Sequence, residues 1–147
     1  MVPKTLMTDE APSQDRDDSR ATLMEDTLSR EFPFADKAWP IVEQWAVQNA
    51  YVSYTPKESE RRIFTKTFGI KPIGLYTDRF ITVTVLDGRV RVEGFLTHGL
   101  LVRLLTLFVV PEFQSIEPGG WKAAAARKQT REEMSDLLKR FGQPGVS

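Results

Sequence analysis

The chain has few side chains that could carry acid–base or nucleophilic chemistry. Its 147 residues include no cysteine and a single histidine, His98. The lack of cysteine excludes a disulfide framework, a thiolate nucleophile and a cysteine-ligated zinc or iron–sulfur centre. One imidazole leaves almost nothing for metals that prefer nitrogen ligands, so we expect neither a metal nor a cofactor.

His98 is the residue around which any Ser-His-Asp arrangement would have to be built. It lies between Thr97 and Gly99, beside an apolar run. One interpretation makes it a proton carrier or a pH sensor. The other makes it a histidine of a loop or core edge with satisfied hydrogen bonds, and the absence of a nucleophile motif favours this second interpretation.

Carboxylates are the remaining candidates for catalysis or for binding a divalent cation. Those of the predicted domain do not follow the spacing of an EF-hand loop or of a helical metal motif. Glu93 is the most notable, because it follows Arg89 and Arg91 at alternate positions of one predicted strand. It could line a cleft or form a cross-strand ion pair, and we favour the ion pair because such pairs are common.

Basic side chains recur on predicted strands and could converge on one face of a sheet. They are Arg61, Arg62, Lys66, Arg89 and Arg91. Aromatic residues that could stack on bases occur at Tyr54, Phe64 and Phe80. Cations and aromatic faces together are what single-stranded nucleic acid binding needs. Cations on strands also prevent edge aggregation, and the formal net charge of zero provides no overall attraction to a polyanion.

The longest apolar segment, residues 95–110, includes His98 and Arg103. Its roughly sixteen residues fall short of the twenty or so that cross a bilayer, so we expect no membrane association. Residues 100–110 are continuous in Leu, Val and Phe, a pattern that fits a buried helix and a buried strand equally. We predict a strand or bend that ends at Pro111.

Residues 100–110 have two possible roles. A domain of about 110 residues needs such a run in its core, and this interpretation is favoured by the size of the domain. If part of the run is exposed instead, Leu101, Leu104 and Phe108 form the kind of apolar patch that marks a contact with a partner protein or a second copy.

Charge is distributed unevenly along a chain whose composition predicts one globular domain. Residues 1–36 hold nine acidic and four basic side chains, which leaves them at −5 and the other 111 residues at +5. Because residues 8–20 contain almost no apolar side chains, we predict a disordered acidic tail over residues 1–31 and a single domain over residues 32–144.

The acidic start does not fit a secretory signal, so we expect a cytoplasmic protein. Residues 20–32 could form a short helix through Leu28.

Helical and extended patterns alternate in a way that predicts an α+β fold. A first helix capped by Asp36 carries Trp45 and ends near Asn49. Extended segments follow at residues 51–55, 61–68, 79–86, 89–95 and 112–116. The Asp87-Gly88 pair between two of them is a strong hairpin signal.

The last element is a helix with an apolar stripe. Residues 130–133 fit a capping box, Met134 and Leu137 begin the stripe, and Gly142 ends the helix. Residues 123–126 could extend this helix toward the amino terminus.

Several local patterns occur together in residues 34–144. They are a helix at 41–46 with Trp45, an Asn-Ala-Tyr turn, a basic strand ending at Gly69, a hairpin with Glu93, and a helix ending at 137–144. In this combination the chain resembles a group of small uncharacterised bacterial domains. The resemblance implies an α+β fold and implies no function.

The sequence therefore predicts an α+β domain in which a four- or five-stranded antiparallel sheet is flanked by an N-terminal and a C-terminal helix. We predict a non-catalytic protein-binding or assembly module. The alternative is a module that binds nucleic acid or a phosphate ligand through the arginine-rich sheet face. An enzyme that relies on Glu93 is the least favoured, because it would need a cleft and a perturbed carboxyl group.

Overall fold

Six antiparallel strands and three helices form the described part of the chain. In a computed structural model of the protein, this part comprises residues 27–109, 111–118 and 123–146. The strands are β1 (Leu28–Pro33), β2 (Val52–Ser53), β3 (Arg61–Ile70), β4 (Leu75–Leu86), β5 (Arg89–His98) and β6 (Phe113–Ser115). The helices are α1 (Trp39–Gln48), α2 (Leu100–Leu105) and α3 (Ala124–Arg140). The predicted α+β class is confirmed, with α1 and α3 as the helices near the two ends.

The strands form one sheet in the order β1-β5-β4-β3-β2. β1 and β6 lie end to end along the same edge of β5. β1 pairs with residues 89–94 and β6 with residues 95–97. The turn between β4 and β5 is the predicted Asp87-Gly88, with φ of +53° and +72°. A 3₁₀ turn, Lys71–Ile73, joins β3 to β4.

The hydrophobic core lies between one face of this sheet and the helices α1 and α3. Alternate residues of β4 and β5 supply the sheet side, and Ile81, Val83 and Val92 have no exposed surface. Trp45 of α1 is also completely buried, and its indole N–H donates a 2.8 Å hydrogen bond to the backbone oxygen of Glu133 in α3. This bond fixes the two helices against each other while the apolar side chains supply most of the stabilisation.

β1 is a strand that the sequence did not predict. The sequence predicts a tail over residues 1–31 and leaves a short helix within residues 20–32 open, but residues 28–33 pair with β5 and bury Leu28 and Phe32. Two apolar residues four apart lie on one side of a helix and also on one face of a strand, so their spacing does not distinguish the two. The rest of the predicted tail, residues 1–26, lies outside the described residues.

The predicted helix starts need correction, whereas their ends agree with the structure. α3 begins at Ala124, so residues 123–126 do extend it and the capping box at residues 130–133 is wrong. Thr130 lies inside the helix, where its hydroxyl donates to the backbone oxygen of Ala126 at 2.8 Å. α1 begins at Trp39 after Ala38, without a side-chain cap from Asp36. Asn49 follows its last residue, as predicted.

α2 replaces the strand or bend predicted for residues 100–110. The run is rich in leucine, which favours helix more than the β-branched residues do. β5 also already has neighbours on both of its edges, so the chain after His98 has no position beside it. The predicted extended segment at residues 112–116 is confirmed as β6, whereas Val110 lies outside the described residues.

Candidate functional site

Residues 100–109, which we call the α2 segment, expose most of their apolar side chains. No residue of α2 is buried. The exposed fraction reaches 69% at Leu105, 84% at Leu107 and 59% at Phe108. The interpretation that this segment fills the core is therefore wrong. Of the three predicted partner contacts, Leu104 and Phe108 are exposed and Leu101 is half-buried.

A strained turn ends the α2 segment. Leu107 and Phe108 have φ of +54° and +59°, a left-handed conformation that costs a large side chain about 1 to 2 kcal/mol. The N–H of Phe108 donates to the backbone oxygen of Arg103 at 2.6 Å, and that of Leu107 to the oxygen of Leu104 at 3.0 Å. The turn is thus held by its own backbone while it exposes two large apolar side chains, and strain of this kind is often found at functional sites.

The start of the α2 segment is anchored to the sheet. The N–H of Leu101 donates to the backbone oxygen of Gly74 at 3.0 Å, and that of Gly99 to the oxygen of Tyr76 at 2.9 Å. A Cβ atom on Gly99 would lie 2.3 Å from the oxygen of Gly74, so the approach requires glycine. Ile73, next to this anchor, is 55% exposed and extends the apolar surface.

The sheet separates the five predicted nucleic-acid contacts onto two faces. Strand register places Arg61, Arg89 and Arg91 on the face opposite the helices and Arg62 and Lys66 on the helix side. Because side chains alternate along a strand, adjacent residues such as Arg61 and Arg62 cannot share a face.

Carboxylates neutralise most of these cations. On the helix side, Arg62 binds Glu43 at 3.0 Å, and its guanidinium lies 3.9 Å from the ring centre of Trp39. On the opposite face, Arg89 pairs with Glu31 at 3.1 Å. The remaining cations of the set, apart from Arg61, are also paired with carboxylates. Arg61 makes no ion pair with a described residue.

Aromatic rings do form a row on the face opposite the helices. The ring centres of Tyr54 and Phe80 lie 6.3 Å apart, and those of Phe80 and Phe95 lie 4.9 Å apart. Phe64, the third predicted stacking residue, is buried in the core instead, 6.1 Å from Trp45. Two of the three predicted stacking residues therefore share a face with three of the five cations.

Glu93 is almost completely buried on this face and has a structural partner. Its carboxylate lies 3.3 Å from Nε of Arg91, two residues earlier on the same strand. The predicted pairing is present, but it runs along β5 rather than across to a neighbouring strand. Thr82 is the residue opposite Glu93 on β4.

His98 has the environment of a histidine with satisfied hydrogen bonds. It is 4% exposed, and its Nδ1 and Nε2 lie 2.9 Å from the Thr77 hydroxyl and from Oε1 of Gln114. Because an amide oxygen can only accept, Nε2 of the neutral ring carries the proton and Nδ1 accepts from Thr77. Burial lowers the pKa of His98 below its ordinary value, and the hydrogen bond to Gln114 opposes that shift. The neutral ring therefore joins β4, β5 and β6.

The lowered pKa of His98 predicts acid destabilisation of the fold. The unfolded chain binds a proton at this ring more readily than the folded chain, so the contribution is complete above about pH 6.5 and falls as the pH drops below it. Urea unfolding should show this loss, at most about 1.4 kcal/mol per pH unit for one proton. His98→Gln should lack this part of the pH dependence. Parallel profiles for the two proteins between pH 7.5 and 5.5 would contradict the assignment.

A buried ionic cluster beneath α3 was not predicted from the sequence. One oxygen of the Glu133 carboxylate accepts from Lys66 at 3.1 Å and from Arg79 at 3.2 Å. Arg79 also donates to Gln129 at 3.0 Å, and its guanidinium lies 3.9 Å from the ring centre of Phe68. These contacts tie the middle of α3 to β3 and β4.

Burial shifts the protonation equilibria of this cluster. The pKa of Arg79 is lowered by burial, with the charge of Glu133 acting in the opposite direction. Burial and the adjacent Glu133 carboxylate raise the pKa of Tyr51 above its ordinary range, so its phenol stays protonated. In the sequence, Lys66 and Arg79 alternate with apolar residues, which indicates that they lie on the buried face of their strands. Their partner Glu133 could not be identified, because it lies more than fifty residues further along the chain.

The described residues contain no group of three or more His, Cys, Asp and Glu side chains arranged to hold a metal ion. Within the same part of the chain, no helix is long and apolar enough to cross a membrane. No protein-family model matches the sequence, and no curated protein sequence matches it significantly. The resemblance to small bacterial domains therefore stays a prediction.

Proposed function

We propose that the protein is a protein-binding module whose α2 segment inserts into an apolar groove of a partner protein. The observation that carries this proposal is the exposure of the segment, which includes Leu105, Leu107 and Phe108. Six large apolar side chains are exposed within these ten residues, whereas typical monomers rarely expose a contiguous apolar patch of more than a few hundred Å². Larger exposed patches commonly mark interaction sites.

The backbone of the segment supports the same conclusion. Two consecutive large residues, Leu107 and Phe108, keep a left-handed conformation that exposes them. A helical ending without this strain would be favoured by local energetics alone. Burial of both side chains in a partner would offset the strain, at about 1.5 to 3 kcal/mol for each fully buried side chain.

The charges around the segment favour a protein over a lipid surface. Arg103 is its only charged residue, and it lies 4.0 Å from the carboxylate of Glu112. Helices that bind anionic membranes carry several lysines or arginines on their polar side. A groove lined by apolar side chains with few charges is therefore the complementary surface.

Nucleic-acid binding remains the alternative, and one observation supports it. Tyr54, Phe80 and Phe95 stack on the face that also carries Arg61. The other two cations of that face, Arg89 and Arg91, are paired with carboxylates, which weakens the attraction for a phosphate backbone. The α2 segment is therefore the favoured site.

Site-specific photocrosslinking in the protein's own cells tests the proposal. A photoreactive residue at position 107 should form a discrete adduct with one protein. The matched control is position 47, because Val47 of α1 is 80% exposed and Leu107 is 84% exposed. No adduct at position 107, or the same adducts from both positions, would contradict the proposal. A nucleic-acid adduct from position 54 or 61 alone would support the alternative instead.

A further inference from the structure

The three described α-helices end in the same hydrogen-bonded turn, in which one residue adopts a left-handed conformation. After α3 that residue is Gly142, with a φ of +77°. Its N–H donates to the backbone oxygen of Lys139 at 2.9 Å, and the next N–H donates to that of Leu138, also at 2.9 Å. Ala50 has the same position after α1, and Leu107 has it after α2. The residue in the left-handed position therefore distinguishes the three helix ends.

The turn after α2 is the one that its sequence fits least. Glycine adopts a left-handed conformation at little cost, whereas a residue with a Cβ atom does not. Leu107 is followed by Phe108, which also has a positive φ, and neither α1 nor α3 is followed by two such residues in succession. Residues 100–108 include no glycine, asparagine or proline that would stop a helix. Their sequence is thus compatible with a helix that continues through Phe108.

A continued helix would align the exposed apolar side chains of the α2 segment. Leu100 and Leu104 already lie on one face of α2, and both are about half exposed. In a longer helix, Leu107 and Phe108 would join this face at the i+7 and i+8 positions. Val102 lies on the opposite side of α2 and is half-buried, so the stripe faces away from the domain. Stripes with this spacing are what an apolar groove recognises in a bound helix.

The chain after α2 is long enough for this change. A helix over residues 100–108 would be about 13 Å long. It would start next to His98, whose N–H donates to the backbone oxygen of Glu112 at 2.9 Å. Four residue steps join Phe108 to Glu112, and they span up to about 13 to 14 Å when extended. The helix can therefore lengthen while Glu112 keeps its bond to the sheet.

We propose that the last turn of the α2 segment converts to helix when the segment enters the groove of its partner, an inference that rests on the proposed function. The bound form is a helix over residues 100–108. It presents Leu100, Leu104, Leu107 and Phe108 as one stripe. Binding then removes the left-handed strain at Leu107 and Phe108 rather than only offsetting it. The partner that fits this form is a protein with an apolar groove about 13 Å long, open to a helix.

Glycine and alanine at position 107 separate the two backbone forms, because both remove the leucine side chain beyond Cβ. Leu107→Gly favours the left-handed turn, whereas Leu107→Ala favours the helix. In urea unfolding, the folding constant should be roughly fivefold larger for Leu107→Gly than for Leu107→Ala. In the protein's own cells, at matched low expression, a photoreactive residue at position 104 should give roughly fivefold less adduct with Leu107→Gly. Stability and binding should therefore change in opposite directions.

Ala50→Gly is the matched control, since Ala50 has a φ of +60° in the corresponding turn after α1. It should stabilise the fold and leave the adduct from position 104 unchanged. As much adduct with Leu107→Gly as with Leu107→Ala would overturn the helical form and leave the proposed function standing. Equal stability of these two variants would also overturn it, because position 107 would then not be left-handed in the free chain. No adduct from position 104 or 107 of the otherwise unmodified chain would contradict both proposals.

Discussion

Replacing Leu104 and Phe108 together by aspartate is expected to weaken partner binding at least 100-fold and to leave the fold intact. Both side chains are about half exposed, at 47% and 59%, so their replacement removes little core packing. The free energy of unfolding should therefore change by less than about 1 kcal/mol. A charge placed in an apolar groove must be desolvated, and truncated interface anchors commonly cost 2 kcal/mol or more each.

Calorimetric titration with the partner identified by photocrosslinking measures the loss of binding. Urea unfolding measures the change in stability separately. Val47→Asp combined with Val52→Asp is the control, because these residues are 80% and 67% exposed and lie outside the α2 segment. If the Leu104 and Phe108 variant unfolds, the segment contributes to the core. If it folds and binds normally, the segment is not the binding site.

Replacing Glu133 by alanine is expected to lower the free energy of unfolding by about 3 to 5 kcal/mol, since it leaves buried cations without a counter-charge. Arg79 is 4% exposed at its side chain and Lys66 is 21% exposed, and both bind the same carboxylate oxygen. Most of this loss should come from Arg79, because its charge is shielded from water, whereas water can still solvate the charge of Lys66.

A double variant separates the ion pair from the packing. Glu133→Leu with Arg79→Met removes both buried charges and keeps the volume, so it should recover most of the stability lost by Glu133→Ala. Asp136→Ala on the same helix is the control, because Asp136 is half-exposed and its partners, Arg140 and Asn49, are themselves partly exposed. A loss below about 1 kcal/mol for Glu133→Ala would show that Lys66 and Arg79 do not depend on this carboxylate.

The sheet could be predicted where local patterns determine it. The Asp87-Gly88 pair fixes a tight turn between β4 and β5, and β-branched residues on both sides make the strands recognisable. β1 could not be recognised, since Leu28 and Phe32 fit helix and strand equally and only pairing with β5 decides between them. Distant contacts of this kind are not present in a local pattern.

The sequence identifies which apolar residues form the candidate site but does not show whether their side chains are exposed. Leu101, Leu104 and Phe108 were identified as partner contacts because the run is apolar, and the same property favoured burial in the core. Whether a helix such as α2 is covered depends on the elements that pack beside it. The Glu133 cluster was missed for a related reason, because α3 brings the carboxylate to Lys66 and Arg79 from a distant part of the chain.

The most direct test of the proposed function is hydrogen exchange of the protein in complex with the partner that photocrosslinking identifies. The amides of residues 100–109 are expected to gain protection when the partner binds, together with those around Ile73 beside the anchor. The face that carries Arg61, Arg89 and Arg91 should remain unchanged. Protection confined to that face, with residues 100–109 exchanging as in the free protein, would contradict the assignment of the α2 segment as the binding site.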